Sequence, residues 1–118
     1  MGLVLWIDQN TFATSLIERV FKKHGLGFYS LASAKDFAYL VDDLKPEVIV
    51  LDFSTATKDL EILRKEYLES SILQQSAFIF LDGHEGLEFI QNNRGQIQRP
   101  IDPFKIPALL QKMLGKLI

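Results

Sequence analysis

Three aspartates in this sequence each stand where a run of large apolar residues ends. The runs and their aspartates are LVLWID with Asp8, VIVLD with Asp52 and FIFLDG with Asp82. A carboxylate is costly to bury unless it is paired or bound to a metal, so three such endings in one short chain indicate a site. If the runs are neighbouring strands of one sheet, their carboxylates converge, and such oxygen donors suit a hard divalent cation such as Mg²⁺.

A cation stands at a matching place later in the chain. Arg99 closes the segment GQIQR and directly precedes Pro100. Because sites in open α/β sheets form at the carboxyl ends of the strands, Arg99 is expected to reach the same edge of the sheet. The sequence therefore predicts an acidic cleft with an arginine beside it.

Five short segments have the character of β-strands, and segments of helical period separate them. The three runs above are apolar throughout, which is typical of central strands in a parallel sheet covered by helices on both faces. Glutamines alternate along the last strand and favour an edge position, and a polar Ser/Gln connection precedes the fourth. The predicted strands are residues 3–7, 28–31, 48–51, 78–81 and 95–99, and the predicted helices are residues 11–24, 37–44, 58–68, 85–92 and 103–117.

Spacing within the helical segments predicts which side chains face the core. Ser33 followed by Asp36 is typical of a capping box, and Asp102 before Pro103 is typical of a helix N-terminus. The residues expected to face inward are Phe12, Leu16, Ile17, Val20 and Phe21 in the first helix, Phe37, Leu40, Val41 and Leu44 in the second, Leu60, Leu63, Tyr67 and Leu68 in the third, Leu87 and Ile90 in the fourth, and Phe104, Leu109, Leu110, Met113 and Leu114 in the fifth.

Composition narrows the class of protein. The 118 residues contain no cysteine, which excludes disulfides, a thiol nucleophile and thiolate metal sites. The formal net charge is −2 and the lysines are dispersed, so no nucleic-acid surface is predicted. No apolar run approaches the length of a membrane span. We therefore expect a cytoplasmic protein with no membrane segment, folded as a single domain over residues 1–118.

The order of these marks resembles the receiver domains of two-component response regulators, over essentially the whole chain. Asp52 matches the aspartate that accepts phosphate, and Asp8 matches the first residue of the acidic pair that helps to bind Mg²⁺. Arg99-Pro100 matches a Lys-Pro pair whose peptide bond is usually cis. The resemblance implies a doubly wound, flavodoxin-like fold with five parallel strands, helices on both faces and the receiver topology.

Several positions depart from the pattern of that family. Gln9 stands where the second acidic residue is expected, which weakens any Mg²⁺ site formed with Asp8 and Asp52. Asp82 replaces the hydroxyl residue that contacts the phosphoryl group, and Arg99 replaces the lysine. Gln96 stands at the position of the aromatic residue that reports activation. The resemblance thus implies a phosphate pocket whose switch positions have changed.

An aspartate at position 82 acts against phosphorylation of Asp52. A phosphoryl group brings a charge of roughly −1.5 to −2. An ionised carboxylate about 5 Å away repels it by roughly 3 kcal/mol per unit charge at an effective dielectric of about 20. Arg99 can cancel much of this repulsion if it pairs with Asp82. We therefore predict an Asp82–Arg99 salt bridge that satisfies the pocket in the absence of phosphate.

Three functions are compatible with the sequence. The leading one is a stand-alone receiver domain that is phosphorylated at Asp52 by a histidine kinase or phosphotransferase and acts on a downstream protein target. The alternative is a pseudo-receiver that binds its partners independently of phosphorylation, and the third is a flavodoxin-like module for small molecules. No flavin or nucleotide is expected. No catalytic residues are predicted either, because no activated nucleophile and base accompany the acidic cleft. The oligomeric state stays open.

Overall fold

The computed structural model describes residues 2–35 and 37–117, which form one parallel sheet with helices on both faces. The strand order is β2-β1-β3-β4-β5, and every neighbouring pair is parallel. The predicted fold class is thereby confirmed. The strands are β1 (Leu3–Ile7), β2 (Gly27–Leu31), β3 (Val48–Asp52), β4 (Phe78–Leu81) and β5 (Asn93–Ile97).

Helices cover both faces of the sheet. Residues that point to one face include Leu5, Ile49 and Phe80, and they pack against α2, α4 and α5. Their neighbours Trp6, Val50 and Leu81 point to the other face, against α1 and α6, as the period of two in a strand requires. The helices are α1 (Thr11–Lys23), α2 (Phe37–Leu44), α3 (Phe53–Lys58), α4 (Leu60–Glu69), α5 (Ser71–Gln75) and α6 (Ile106–Leu114), with a 3₁₀ turn over Pro103–Lys105 before α6.

The region after β3 is more helical than predicted. The expected helix at residues 58–68 is present as α4, but α3 comes before it and begins directly at the end of β3. The polar connection before β4 contains α5, because the Ser70 hydroxyl accepts a hydrogen bond from the Leu73 N–H and caps a short helix there. Asp36, half of the predicted capping box, lies outside the described residues.

The helix predicted at residues 85–92 is wrong. This segment consists of turns, and two of its backbone bonds, from the Leu87 N–H to the His84 carbonyl and from the Ile90 N–H to the Leu87 carbonyl, span three residues. Gly86 has φ +83°, a conformation that a regular helix does not contain. Leu87 and Ile90 are nevertheless buried. Consecutive turns therefore bury Leu87 and Ile90, whose spacing in the sequence is typical of a helix, without forming a helix.

Two smaller boundaries also differ from the predictions. β5 begins at Asn93 and ends at Ile97, two residues earlier than expected. α6 ends at Leu114 rather than at Leu117, because Gly115 adopts a left-handed conformation with φ +71° and closes the helix. Asp102 caps the 3₁₀ turn as predicted, since its carboxylate accepts the Phe104 N–H at 3.0 Å. The C-terminal helix is thus shorter than its apolar pattern indicated.

Some side chains predicted to face the core are exposed. Phe12 is 75% exposed and Phe104 is 68% exposed, and both were expected to be buried. Leu16 and Leu68 are exposed as well. Periodicity identifies the apolar side of a helix, but another element must cover that side for it to be buried. Within the described residues, no element covers Phe12 on α1 or Phe104 in the 3₁₀ turn that precedes α6.

Candidate functional site: one arginine among three aspartates

The strand order brings the three aspartates to one edge of the sheet. β3 lies between β1 and β4, and the register pairs Ile7 with Leu51 and Asp52 with Leu81. Asp8 and Asp82 come directly after the ends of their strands, so they stand beside Asp52. The predicted convergence at the carboxyl ends of neighbouring strands is therefore present.

The guanidinium of Arg99 lies among the three carboxylates and bonds to each of them. Its Nε is 2.8 Å from Asp82 Oδ2, and its Nη1 is 3.1 Å from Asp8 Oδ2. Its Nη2 contacts Asp52 Oδ1. The backbone N–H of Arg99 also donates to Asp82 Oδ1 at 2.8 Å. The predicted Asp82–Arg99 ion pair is present, and the same arginine holds the other two aspartates as well.

The three ion pairs differ in how much water reaches them. Asp8 and Asp52 are each only 2% exposed, whereas the Asp82 side chain is 39% exposed. Exposed ion pairs contribute little to stability because water screens them. Removing one partner of a buried pair is strongly destabilising, because a charge is left uncompensated away from water. The bonds of Arg99 to Asp8 and Asp52 therefore contribute more to the stability of the fold than its bond to Asp82.

The electrostatic setting keeps Arg99 protonated. Partial burial by itself would lower the pKa of the guanidinium. Attraction to Asp52, then to Asp8 and Asp82, outweighs that effect, so the pKa of Arg99 is raised above its ordinary value. The cluster thus contains a permanent positive charge.

The second oxygen of Asp52 is held by the start of α3. Asp52 Oδ2 accepts the Thr55 N–H at 3.0 Å, the Thr55 hydroxyl at 2.6 Å and the Ser54 hydroxyl at 2.9 Å. Asp52 is therefore the N-cap of α3 as well as an ion-pair partner. Ser54 and Thr55 were not predicted as site residues, and the only sequence signal for them is that an aspartate such as Asp52 is a preferred N-cap residue whose side chain accepts from the residues just after it.

Gln9 is turned toward the segment after β3. Its amide Nε2 donates to the Ser54 hydroxyl at 3.0 Å, and its Oε1 accepts a bond from Lys58 Nζ. Its backbone N–H donates to the Thr55 hydroxyl at 2.9 Å. The amide oxygen that was a candidate Mg²⁺ ligand is therefore occupied by an ammonium group.

The residues of the cluster do not fit a bound Mg²⁺. Both oxygens of Asp8 accept hydrogen bonds, one from Arg99 and one from the Asn10 N–H at 3.0 Å, and both oxygens of Asp52 and of Asp82 are likewise occupied. Over residues 2–35 and 37–117, no group of three or more His, Cys, Asp or Glu side chains has an arrangement suited to a metal ion. The guanidinium supplies the positive charge that a cation would otherwise bring to these carboxylates.

The remaining predicted residues lie beside this cluster. The peptide bond between Arg99 and Pro100 is cis, as expected from the resemblance. Gln96, on β5, places its amide against His84 Nδ1, and the His84 ring lies 5.7 Å from the Phe80 ring. The structure therefore brings Gln96 to His84, on the segment that follows β4.

Comparison with known proteins identifies the fold. No family model matches the sequence, and no curated protein matches it. Solved structures do match. A response regulator from Desulfuromonas acetoxidans superimposes with a TM-score of 0.79 at 12% identity, covering 98% of both chains. The chemotaxis protein CheY4 of Vibrio cholerae gives 0.73 at 15% identity, covering 96% of this chain and 98% of its own.

A third solved structure agrees with these two. The receiver domain of Francisella response regulator 1452 gives a TM-score of 0.71 at 19% identity, with 98% of both chains covered. Within residues 2–35 and 37–117, no helix has the length and apolar character needed to cross a membrane. The chain has the fold of the response-regulator receiver domains.

Proposed function

We propose that this protein is a receiver-fold signalling module that contacts partner proteins without being phosphorylated. The observation that carries the proposal is the Arg99 guanidinium bound to Asp8, Asp52 and Asp82 together. In the family that the sequence resembles, a metal ion and then a phosphoryl group complete the acidic cleft. In this chain, an internal cation already satisfies the same carboxylates.

Phosphorylation of Asp52 would have to break this arrangement. Asp52 Oδ2 is held by three hydrogen bonds from Ser54 and Thr55, and its Oδ1 is held by Arg99. A phosphoryl group on either oxygen would displace these donors and bring roughly −1.5 to −2 charges beside Asp8 and Asp82. The Asp52 carboxylate loses its own charge when it forms the acyl phosphate, so without a bound Mg²⁺ Arg99 would have to neutralise up to about one more negative charge than it does now. The energetics therefore favour the unmodified state.

A phosphorylated receiver is the second candidate. The position of Asp52 at the end of β3, at the carboxyl edge of the sheet, is the observation in its favour. In that case a histidine kinase or phosphotransferase would supply the phosphate, and Arg99 would rotate from Asp52 to the new phosphate. Both candidates act through contact with another protein, and neither requires an enzymatic reaction of this chain.

We propose that this protein contacts its partner through a different surface from the one that receiver domains use to bind their targets. In receiver domains the target binds the face formed by helix 4, strand 5 and helix 5. Here the segment between β4 and β5, residues 82–92, consists of turns. A target that needs the missing helix would not find it on this chain. We therefore place the partner surface elsewhere on the molecule.

The proposal can be tested by incubating the purified protein with Mg²⁺ and acetyl phosphate and measuring its intact mass. We expect no phosphoryl adduct on the wild-type protein. Arg99→Lys, which replaces the planar guanidinium with a single ammonium group, is measured for comparison. Asp52→Asn, which lacks the carboxylate that would accept phosphate, gives the background signal. An adduct on the wild type that is absent from Asp52→Asn would refute the proposal and establish the second candidate.

A further inference from the structure

The side chain of Trp6 is buried in the fold, yet its polar group is unpaired. Trp6 is only 1% exposed and packs among the apolar residues between the sheet and helices α1 and α6. Within residues 2–35 and 37–117, its Nε1–H is the one buried side-chain donor or acceptor that has no hydrogen-bond partner. Nearly all buried polar groups in proteins are paired, so an unpaired one calls for an explanation.

The Trp6 ring lines a cavity at the carboxyl end of the sheet. The cavity has a volume of about 470 Å³ and lies between α1 and the segment that follows β5. Its walls are mainly apolar and include Ala13 of α1, Leu81 at the end of β4 and Ile101. Sites for small molecules in proteins have this size, and they are mostly apolar with a few polar groups.

The charged side chains that line this cavity are Asp8 and Arg99, and they restrict the charge that a ligand can carry. Arg99 is bonded to three carboxylates, so negative charge is in excess beside the cavity and an anion would be repelled. A cationic group brings donors, but both oxygens of Asp8 already accept hydrogen bonds within the fold. A neutral molecule avoids both costs.

We propose that this cavity binds a neutral, largely apolar small molecule whose carbonyl oxygen accepts a hydrogen bond from Trp6 Nε1–H. The apolar part of the ligand would pack against Ala13 and Leu81 and leave water. Its carbonyl would pair the donor that the fold leaves unpaired. A hydroxyl group would add a donor that needs an acceptor of its own, whereas a carbonyl group would not.

A bound water molecule is the simpler partner for Trp6 Nε1–H. A buried water typically makes about three hydrogen bonds, so it needs several polar groups around it. The side chains packed around the Trp6 ring include Ile17 and Phe28, which offer none. A ligand carbonyl needs only one donor, because the rest of the ligand is apolar. The surroundings of Trp6 therefore favour a ligand over a water molecule.

This inference goes beyond the proposed function and does not depend on the state of Asp52. The cavity shares Asp8 and Arg99 with the acidic cleft, so a bound ligand would lie against the guanidinium that holds the cleft together. The mass measurement on Asp52 is made without any ligand for this cavity. The two proposals can therefore fail separately.

The test uses three probes that share a benzene ring. Acetophenone is neutral and has a carbonyl oxygen, benzoate is an anion, and benzylammonium is a cation without an acceptor. Trp6 is the only tryptophan in the chain, so its Nε1–H gives a single indole signal in the ¹⁵N–¹H spectrum. We expect acetophenone to shift this proton downfield in a saturable way. Benzoate and benzylammonium should bind at least about tenfold more weakly, because burying an unpaired charge is costly.

Three substitutions assign the binding to this cavity. Ala13→Leu places a larger side chain in the cavity and is expected to weaken acetophenone binding at least about tenfold. Ala108→Leu, at an exposed alanine on α6 that does not line the cavity, is the matched control and should bind like the wild type. Trp6→Phe keeps an aromatic ring but removes the donor, and it should bind acetophenone about threefold to tenfold more weakly, followed at the amide signals of Ala13 and Leu81.

Each outcome decides the proposal. An indole signal that acetophenone does not move would overturn it and assign the Trp6 donor to a water molecule. Benzoate or benzylammonium binding as tightly as acetophenone would refute the neutral ligand, and undiminished binding by Trp6→Phe would refute the hydrogen bond. Equal binding by Ala13→Leu and Ala108→Leu would place the probe elsewhere on the molecule. If circular dichroism shows that Trp6→Phe does not fold, the indole shift and the two alanine variants give the answer.

Discussion

Asp52 and Asp82 end neighbouring strands and bind the same arginine, yet their surroundings differ. Asp52 is buried, caps α3 and accepts three hydrogen bonds besides the one from Arg99. Asp82 is more than a third exposed, has a left-handed backbone with φ +62°, and leads into a segment of turns. The Asp52 carboxylate is thus buried and fixed by the start of a helix, whereas the Asp82 carboxylate is partly exposed at the edge of the site.

The difference shows how the two halves of the cleft are held. On the β3 side, a helix begins at the carboxylate, so the position of Asp52 is fixed by secondary structure. On the β4 side, the main fixed point is Arg99, whose backbone N–H and Nε both donate to Asp82. Arg99 therefore connects a rigid half of the cleft with a less regular one.

The largest effect is expected from Arg99→Ala. The substitution leaves Asp8 and Asp52 buried without their shared cation, and removing one partner of a buried ion pair typically costs about 3–5 kcal/mol of the free energy of unfolding. Urea denaturation followed by circular dichroism measures this loss. Arg19→Ala, at an exposed arginine on α1, is the matched control and should change stability by less than about 0.5 kcal/mol.

A second variant and a pH series sharpen the Arg99 result. Adding Asp52→Asn to Arg99→Ala removes one stranded charge, so the double variant should be more stable than Arg99→Ala alone. The raised pKa of folded Arg99 means that its contribution is fully present below the unfolded pKa and is lost only as pH rises through the folded value. The stability gap between wild type and Arg99→Ala should thus stay constant between about pH 7 and pH 10. A stability difference between wild type and Arg99→Ala that disappears within this pH range would contradict a raised pKa of folded Arg99.

Asp52→Asn and Asp82→Asn compare the two carboxylates directly. Asp52→Asn removes a buried charge opposite Arg99 and is expected to lower the free energy of unfolding by about 2–3 kcal/mol. Asp82→Asn removes a partly exposed charge and should cost about 1 kcal/mol or less. Both variants keep an oxygen that can accept a backbone N–H. Equal losses in the free energy of unfolding of the two variants would show that burial does not determine how much each ion pair contributes to stability.

Tyr67→Phe tests how the irregular segment after β4 is fixed. The Tyr67 hydroxyl accepts the Gln91 N–H at 3.0 Å, and the Tyr67 ring packs edge-on against Phe89. Removing the hydroxyl should cost about 1 kcal/mol and speed hydrogen exchange at Gln91, while exchange at Thr55 stays unchanged. Tyr39→Phe, on the exposed ring of α2, should do neither. Faster exchange at both Gln91 and Thr55 would mean that the two halves open together.

Much of the fold could be predicted because the strands have strong local signals. The apolar runs before Asp8, Asp52 and Asp82 have the length and composition of buried parallel strands, and parallel strands place their carboxyl ends together. The Asp82–Arg99 pair followed from the same placement. Those predictions required only that side chains at one edge lie within reach of a long arginine.

Other features could not be predicted, because they depend on what covers each element. Leu87 and Ile90 have helical spacing, but Gly83 and Gly86 allow turns that bury the same side chains. Phe12 and Phe104 fit the apolar spacing of their segments, but both are exposed. The spacing of residues within one helix does not tell whether a neighbouring element covers its apolar side. That Arg99 binds three carboxylates rather than one depends on the path of its side chain across the sheet edge.

Arg99 holds the acidic cleft through its bonds to Asp8, Asp52 and Asp82, in place of a divalent cation. The most direct measurement is the ¹⁵N–¹H spectrum of the Arg99 side chain, assigned with Arg99→Lys, during titration with Mg²⁺ and beryllofluoride. We predict a protected Arg99 Nε–H signal at neutral pH that neither addition shifts, together with unchanged amide signals at Asp52 and Thr55. A saturable displacement of the Arg99 signal that disappears in Asp52→Asn would contradict the account and indicate a working phosphate pocket.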